Sequence, residues 1–286
     1  MAHSLKYIKS RIKSIESTKK VTNAMQMISA AKLSSTEETL FSHKTYFNRL
    51  DAMLVRFICT LGEGTGTFLE RRTDAGVIVL CVITSDSGLC GTYNNNVIRA
   101  AEGFIASRGR EKVRLVLVGK KAYNYFKKRE YSVDSSYLDL HGRYSDKTAD
   151  DIVNALIGMY VERGCDEVHL AYTYYESGLS SKPVVKKFLN LEPEVVTCAR
   201  DEYITEPSRG KILEELVPRY IALRMRLVLL EAFASEHAAR ALAMKTATEN
   251  AKELLEGLIL LRNKVRQAHI TQEILEIISA SEALRV

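Results

Sequence analysis

Proline, tryptophan and long apolar runs are scarce in this chain. Its 286 residues include four prolines and no tryptophan. The longest apolar run, residues 77–83, is far below the roughly 20 residues that span a bilayer. Lys6, Lys9 and Arg11 interrupt the first apolar positions, so the sequence does not open on a charged-then-apolar leader. We therefore expect neither a transmembrane helix nor an exported protein.

Cysteine and histidine are too dispersed for a metal centre or a disulfide scaffold. The five cysteines are odd in number and lack Cys-x-x-Cys spacing, which favours reduced thiols in a cytosol-like compartment. The six histidines form neither a ligand cluster nor a triad, so we predict no metal site and expect surface or core placement for all six. The residues concerned are Cys59, Cys81, Cys90, Cys165, Cys198, His3, His43, His141, His169, His237 and His269.

The net charge of +6 is concentrated in the first part of the chain. Residues 1–57 contain ten Lys and Arg against four Asp and Glu, and the remaining residues balance. A basic helix can meet nucleic acid, acidic lipid or an acidic protein surface, and it can also be an ordinary solvated helix face. Charge alone leaves these alternatives open.

Both ends of the chain have the pattern of long amphipathic helices. Residues 4–57 lack proline and glycine, and a second helix is predicted from the N-cap Ser208 to near Leu284, with a kink or restart at Pro218. One amphipathic helix cannot bury its own stripe, so we predict that the two ends pair as an antiparallel coiled coil. The seam residues are Leu5, Ile8, Ile12, Ile15, Leu254, Leu258, Leu261, Val265, Ala268 and Leu275.

The two predicted helices differ in length. At 1.5 Å per residue they measure about 80 Å and about 110 Å, so the second extends beyond the first by roughly 30 Å. This overhang stays apolar, and an exposed apolar helix tip indicates a protein contact. Its apolar residues are Ile270, Ile274, Leu275, Ile277, Ile278 and Leu284.

The middle of the chain alternates strand-like and helix-like segments. Strands are predicted at 77–84, 113–119 and 167–175, an edge strand with Pro183 at 184–191, and helices at 95–108, 120–129 and from Ser145 or Asp146 to 163. This alternation predicts an α/β fold with a mostly parallel sheet. A glycine-rich turn at 62–66 and a polar connection at 192–207 flank it. The predicted domains are a helix at 1–60, an α/β domain at 61–207 and a helix at 208–286.

The α/β domain lacks the patterns of a nucleotide enzyme. The Ser85-Asp86-Ser87-Gly88 turn follows a strand, but it lacks the Gly-x-x-x-x-Gly-Lys-Ser/Thr pattern. Asp150 and the next residue, Asp151, point to different faces of a helix and are predicted to be solvated. We therefore predict no catalytic residue, no cofactor and no metal. A basic nucleic-acid-binding arm and a stand-alone Rossmann enzyme are the alternatives, for which we find neither interleaved aromatics nor a cofactor fingerprint.

Three groups of segments, in order along the chain, resemble the gamma subunit of F-type ATP synthases. The first is IKSRIKSI at residues 8–15 with TKKVTNAMQM at 18–27. The second is TSDSGLCG at 84–91 followed by Asn94. The third is SEHAAR at 235–240, AMK at 243–245, ATENA at 247–251 and RQAHITQEI at 266–274.

The resemblance implies a rotating shaft without a catalytic site of its own. In that family the terminal helices coil inside a hexamer of alternating alpha and beta subunits. A Rossmann-like α/β domain binds the epsilon subunit and the ring of c subunits, and delta is reached indirectly. The shaft couples proton or sodium translocation to ATP synthesis and hydrolysis. The implied location is peripheral, at the cytoplasmic face of the inner membrane, without nucleic acid.

The resemblance also implies roles for individual residues. Contacts with beta and alpha subunits fall on Lys20, Met25, Arg266, Gln267, Thr271 and Glu273. Coil packing falls on Ile12, Ile15, Arg240, Met244, Lys245, Leu258 and Val265. The motif of the α/β domain comprises Ser85, Asp86, Gly88, Leu89, Cys90, Gly91 and Asn94.

Some positions depart from the family pattern. Ser87 stands where the family usually has Arg, so an ion pair expected there is in question. Leu242 replaces Met, a volume-conserving change that packing tolerates. Other departures are Thr92-Tyr93, Arg262 and Ala280. The cysteine-bearing regulatory insertion of chloroplast members is absent, which favours a bacterial-type subunit without thiol switching.

Overall fold

A computed structural model describes residues 5–61, 68, 76–162, 164–178, 180–191 and 209–283. The chain divides into two compact units. The two-helix unit comprises Met1–Ile28 and Ala241–Val286, and the α/β unit comprises Ser29–Arg240. The predicted glycine-rich turn at 62–66, the connection at 192–207 and the proposed N-cap Ser208 lie outside the described residues.

Two long helices occupy the ends of the chain, as predicted. Helix α1 spans Leu5–Leu61 and helix α5 spans Arg209–Ala283. Pro218 lies inside α5, and the helix continues through it, so the predicted restart is wrong. An interior proline costs about 3 kcal/mol. The buried neighbours Val217 and Ile221 offset that cost, because they pack in the core of the α/β unit.

Five strands form one sheet in the order β3-β2-β1-β4-β5. The first four strands are parallel, and β5 pairs antiparallel with β4 at the edge, where Pro183 was expected. The prediction missed β3, whose sequence VDSSY is polar and only partly buried, without an apolar alternation to mark it. The strands are β1 Ile78–Ile83, β2 Val113–Val118, β3 Val133–Tyr137, β4 Glu167–Ser177 and β5 Ser180–Leu189.

Helices cover both faces of this sheet. Because successive strand residues point to opposite faces, β1 contributes Ile78, Leu80 and Val82 to one core and the intervening residues to the other. The first core lies under α2 (Tyr93–Arg108) and α3 (Lys120–Lys127). The second lies under α4 (Asp146–Val161) and under parts of α1 and α5. Burial on both faces explains why β1 and β2 are almost entirely apolar.

The two-helix unit is an antiparallel pair held by a narrow apolar seam. Ile8 and Ile12 of α1 are buried with Leu255 of α5. Further along the pair, the Thr248 hydroxyl donates a hydrogen bond to the Thr22 hydroxyl at 2.8 Å. As α1 numbers rise, the partner numbers on α5 fall, which is the predicted antiparallel arrangement. Within the described residues, no helix has the length and hydropathy needed to cross a bilayer.

The backbone just after β2 passes close to the backbone just after β1, and this gives the first prediction. Gly119 has φ +90, and a Cβ there would lie 2.2 Å from the Thr84 carbonyl oxygen. We expect Gly119→Ala to lower the free energy of unfolding of the full chain by at least about 2 kcal/mol, because both the conformation and the space exclude a side chain. Urea unfolding followed by circular dichroism measures this.

The matched control for this substitution is Gly103→Ala. Gly103 lies in α2, and a Cβ there meets nothing within 4 Å. Alanine favours helix over glycine by about 1 kcal/mol, so this variant is expected to gain stability. Equal effects of the two substitutions would contradict the steric argument.

Candidate functional site

The motif segment 84–94 leaves the carboxyl end of β1 at the topological switch point of the sheet. Strand β1 lies between β2 and β4, so the chain turns to one side after β1 and returns to the other side later. In open α/β sheets, ligands bind in the crevice outside the carboxyl ends of the strands at this point. The geometry of the motif therefore decides whether a crevice is open here.

The motif folds back onto the first turn of α2. The Ser85 backbone N–H donates to Asn94 Oδ1 at 2.9 Å, and Asn94 Nδ2 donates to Cys90 Sγ at 3.1 Å. Leu89 and Gly91 adopt left-handed backbone conformations, with φ of 61 and 58, in the turn that precedes α2. The spacing of the motif is thus explained by a single compact loop, with the Leu89 side chain exposed.

The Asp86 carboxylate lies at the N-terminus of α3. It accepts the backbone N–H of Lys120 at 3.0 Å, at the start of α3. It also accepts the backbone N–H groups of Asp139 at 3.1 Å and His141 at 2.7 Å. The N-terminus of a helix is a natural anion site. In this protein the chain's own carboxylate fills it.

Helix α5 packs across the same crevice. Arg240 Nε donates to the Gly88 carbonyl at 3.3 Å, and the Tyr93 hydroxyl donates to the Ala232 carbonyl at 3.0 Å. On β4, the Thr173 carbonyl accepts the Ser235 hydroxyl at 3.3 Å. Residues 232–240 of α5 therefore connect the motif loop to Thr173, in the middle of β4.

Two titratable side chains of α5 are buried at this joint. Glu236 is 2% exposed and lies 2.8 Å from the Arg240 guanidinium. Burial raises the pKa of the Glu236 carboxyl, while Arg240 opposes that rise. His237 Nε2 donates to the Gly142 carbonyl at 2.9 Å, and burial lowers the pKa of the imidazole to about 4. His237 is therefore neutral near pH 7.

The residues assigned to partner contact by resemblance lie on the surface of the two-helix unit. Met25 is half-buried, and the other five are exposed: Lys20, Arg266, Gln267, Thr271 and Glu273. The Thr271 hydroxyl donates to the Gln267 carbonyl at 3.0 Å. Glu273 lies 3.2 Å from the His269 ring. These interactions are local to α5, so the outward faces of the side chains stay accessible.

The residues assigned to coil packing fall into three environments. Ile12, Ile15, Leu258 and Val265 share the apolar seam of the two-helix unit. Met244 is buried, whereas Lys245 is exposed. The described contacts of Arg240 are those with Gly88 and Glu236 in the α/β unit.

The two-helix unit carries most of the large exposed apolar side chains in the described part of the chain. Every residue from Arg266 to Ser281 is exposed, so the overhang predicted from helix length has no covering within this unit. Fourteen of the nineteen large exposed apolar side chains in the described residues belong to it. They are Tyr7, Val21, Met27, Ile28, Leu242, Leu254, Ile259, Leu260, Leu261, Ile270, Ile274, Leu275, Ile277 and Ile278.

Sequence reasoning missed a buried carboxyl group in the α/β unit. Glu231 is 3% exposed and lines a cavity of about 410 Å³ between α1, the sheet and α5. Burial raises its pKa from the ordinary value of 4.5 to about 7, against the opposing charges of Lys186 and Lys44 and a hydrogen bond with Tyr172. The available signal was a lone carboxylate within the apolar run LLEAF at residues 229–233.

The raised pKa of Glu231 gives a pH-dependent prediction. As pH rises from about 4.5 to about 7, the unfolded chain loses this proton before the folded chain does, so folding stability is lost across that window. Glu231→Gln removes the titration. At pH 8 we expect the variant to be more stable than the parent by on the order of 3 kcal/mol. Below pH 4.5 the gain should vanish.

Urea unfolding of the full chain at several pH values measures this difference. Glu214→Gln is the control, because it makes the same chemical change at an exposed position of the same helix. A Glu231→Gln profile parallel to that of the parent would contradict the assignment.

Comparison with known proteins gives a consistent family. A family model described as ATP synthase matches residues 4–284. The ATP synthase gamma chain of Geotalea uraniireducens is 37% identical over 286 residues, covering 99% of each chain. That of Pelotomaculum thermopropionicum is 39% identical over 283 residues, covering 98% of this chain and 99% of the relative.

Solved structures share the fold at lower identity. A chain of the Euglena gracilis mitochondrial ATP synthase (OSCP/F1/c-ring, rotational state 3) has a TM-score of 0.68 at 19% identity and covers 98% of this chain and 94% of its own. A chain from the central stalk and c-ring of Tetrahymena thermophila mitochondrial ATP synthase has a TM-score of 0.61 at 22% identity, over 79% and 99%. By sequence match over its whole length, this chain belongs to the ATP synthase gamma chain family.

Proposed function

We propose that this chain is the central rotating shaft of an F-type ATP synthase. The two-helix unit turns inside a hexamer of alternating alpha and beta subunits, and the α/β unit binds the epsilon subunit and the c-subunit ring, with delta reached indirectly. Rotation driven by proton or sodium flow then makes the catalytic pockets of the hexamer differ. The complex holds the chain at the cytoplasmic face of the inner membrane as a peripheral subunit.

The observation that carries this proposal is the exposed apolar surface of the two-helix unit. Ile270, Ile274 and Ile278 lie on the overhang and are 46%, 51% and 54% exposed. Monomeric proteins rarely expose contiguous apolar surface, so such a patch marks a protein interface. A helix tip with apolar side chains on several sides suits an enclosing socket better than a flat partner.

Polar residues at the start of the overhang can make such a contact depend on orientation. Arg266, Gln267, Thr271 and Glu273 are exposed next to the apolar tip and present donors and acceptors of both charge signs. On α1, the exposed Lys20 lies near the half-buried Met25. Charge pairs across an interface favour particular orientations more than they raise affinity. A rotating shaft needs orientation-dependent contacts, because its contacts with the hexamer must change with the angle of rotation.

A non-catalytic role is supported by the filled crevice of the α/β unit. Asp86 takes the anion position at α3, and α5 packs against the motif loop after β1 and against Thr173 of β4. A nucleotide site at this place would require both groups to move. We therefore assign ATP chemistry to the other subunits.

The three domains at 1–60, 61–207 and 208–286 remain a prediction. The proposed function would give each of them a role. Each terminal helix would serve as one half of the rod, and the central segment would serve as the attachment to the rest of the rotor.

The overhang gives a prediction for the assembled complex. Deleting residues 271–286 removes the described helix from 271 to 283, which is about 20 Å long. It also removes the exposed Ile274, Leu275, Ile277 and Ile278. We expect severalfold lower torque in single-molecule rotation, or a lower yield of assembled complex, with the α/β unit still folded by circular dichroism. Unchanged torque and assembly would count against the socket contact.

A full-length control separates apolar contact from helix length. Ile274→Ser with Ile278→Ser keeps the helix and removes apolar surface, and it should reproduce part of the loss. Val161→Ser changes an exposed apolar residue of the α/β unit and should leave torque at the parental value.

Met25 provides a second test in the assembled complex. Met25→Lys adds an unpaired cation to a half-buried position, which is costly if a partner closes over it. We expect ions pumped per ATP hydrolysed to fall below about half of the parental value, whereas the volume-conserving Met25→Leu should keep it. Proton pumping and ATP hydrolysis measured on the same vesicles give the ratio. Parental coupling in Met25→Lys would refute the contact.

A further inference from the structure

One end of the α/β unit carries a concentration of exposed positive charge. The C-terminal end of α2, the following turn and the C-terminal end of α3 meet there. We call this surface the basic edge, and it consists of Arg108, Arg110, Lys112, Lys127, Lys128 and Arg129. The exposed carboxylates nearest to it in sequence are Glu111 and Glu130. Two further carboxylates nearby already have partners: Glu102 accepts the Tyr125 hydroxyl, and Asp134 pairs with Arg114. None of the six cations forms an ion pair with a carboxylate of the described residues.

Aromatic rings and backbone contacts hold the basic edge in place. Arg110 donates to the Glu130 carbonyl at 2.9 Å, with its guanidinium carbon 4.2 Å from the Tyr131 ring centroid. Arg129 stacks over Tyr125 at 3.7 Å. A cation on an aromatic face loses less freedom on binding than a free side chain. The edge is therefore preorganised.

Within the described part of the chain, no further strand pairs with the outer side of β3, and this side lies beside the charge. Strand β3 is the terminal strand of the sheet next to β2. An edge strand offers a row of unpaired N–H and C=O groups to another chain. A groove of about 350 Å³ runs along it, lined by Tyr123, Lys127, Tyr131 and residues 133–136 of β3. The basic edge and the groove thus share Lys127, and the groove and the strand edge share residues 133–136.

We propose that this surface binds an extended acidic peptide segment of a partner protein, which adds a strand to the free edge of β3. The backbone of the segment would pair with β3, and its carboxylates would face the cations of the basic edge. Strand addition of this kind takes affinity from main-chain hydrogen bonds and specificity from alternate side chains. This inference does not depend on the shaft role.

Three other occupants fit less well. A second copy of this chain would bring an equal positive charge to the same edge and be repelled. A membrane surface would use the cations but not the strand, and the described residues between 108 and 137 include no large exposed apolar side chain for insertion. Nucleic acid likewise leaves the strand edge unused.

The backbone pattern of β3 identifies the residue that tests strand addition. The Tyr137 carbonyl accepts the Gly119 N–H, so Tyr137 faces β2 and the preceding Ser136 directs its backbone groups outward. Ser136 is exposed. Ser136→Pro removes the outward N–H while leaving the pairing with β2, since proline is tolerated at sheet edges. Ser136→Ala is its matched control.

The probe is a fluorescein-labelled eight-residue peptide of alternating threonine and glutamate, titrated against the full chain at low salt by fluorescence anisotropy. Saturable binding is expected, weakened at least about tenfold by Ser136→Pro and by the double change Lys127→Glu with Lys128→Glu. Ser136→Ala and Lys147→Glu, an exposed lysine on α4, should stay within about twofold of the parent.

Two further peptides decide the mechanism even if Ser136→Pro fails to fold. Replacing glutamate with glutamine removes charge, and replacing threonine with proline keeps charge but prevents pairing. Both should bind at least about tenfold more weakly to the parent chain. Equal binding of either peptide, absence of binding by the probe, or tighter binding of phosphatidylglycerol vesicles or an RNA oligonucleotide that Ser136→Pro leaves unchanged would overturn the proposal.

Discussion

The packing of α5 against the motif loop after β1 and against the middle of β4 is the constraint on which the α/β unit depends. A buried Glu236–Arg240 pair lies at its centre, and Arg240 also holds the motif loop through Gly88. A buried ion pair adds little net stability, but loss of one partner leaves a costly unpaired charge. Both residues belong to α5, so the bond from Arg240 to the Gly88 carbonyl is the contact that attaches this part of the helix to the motif loop. The crevice that binds ligands in other open α/β sheets is here filled by contacts between α5 and the rest of the α/β unit.

The same helix passes through two kinds of environment along its length. Residues 227–238 are buried on all sides, as expected for a helix inside a globular core. After Ala241 only one side of the helix is buried, at positions that include Met244, Ala251 and Leu255. From Arg266 to Ser281 every residue is exposed. Apolar side chains continue along this exposed part of the helix. A sequence that keeps isoleucine on an uncovered helix is adapted to a complex, because the isolated chain gains nothing from that surface.

Sequence patterns predicted most of the fold but little of the site. The lack of proline and glycine marked α1, and short apolar runs marked β1, β2 and β4. Strand β3 escaped because its residues are polar, and the tolerance of α5 for Pro218 depends on packing that periodicity does not report. The motif residues were placed by resemblance alone. Asp86 bonds to residues 139 and 141, more than fifty positions away, and spacing cannot predict such partners.

The two surfaces that we propose as contacts would use different physics. The tip of α5 is apolar, so its contacts depend on burial and respond weakly to salt. The basic edge combines exposed charge with a free strand, and exposed charge is screened beyond roughly 8 Å at physiological ionic strength. A rotating contact benefits from a surface without strong directional bonds, whereas an attachment benefits from strand pairing that resists sliding. The division between apolar tip and polar edge therefore follows the demands of a part that must turn at one contact and hold at another.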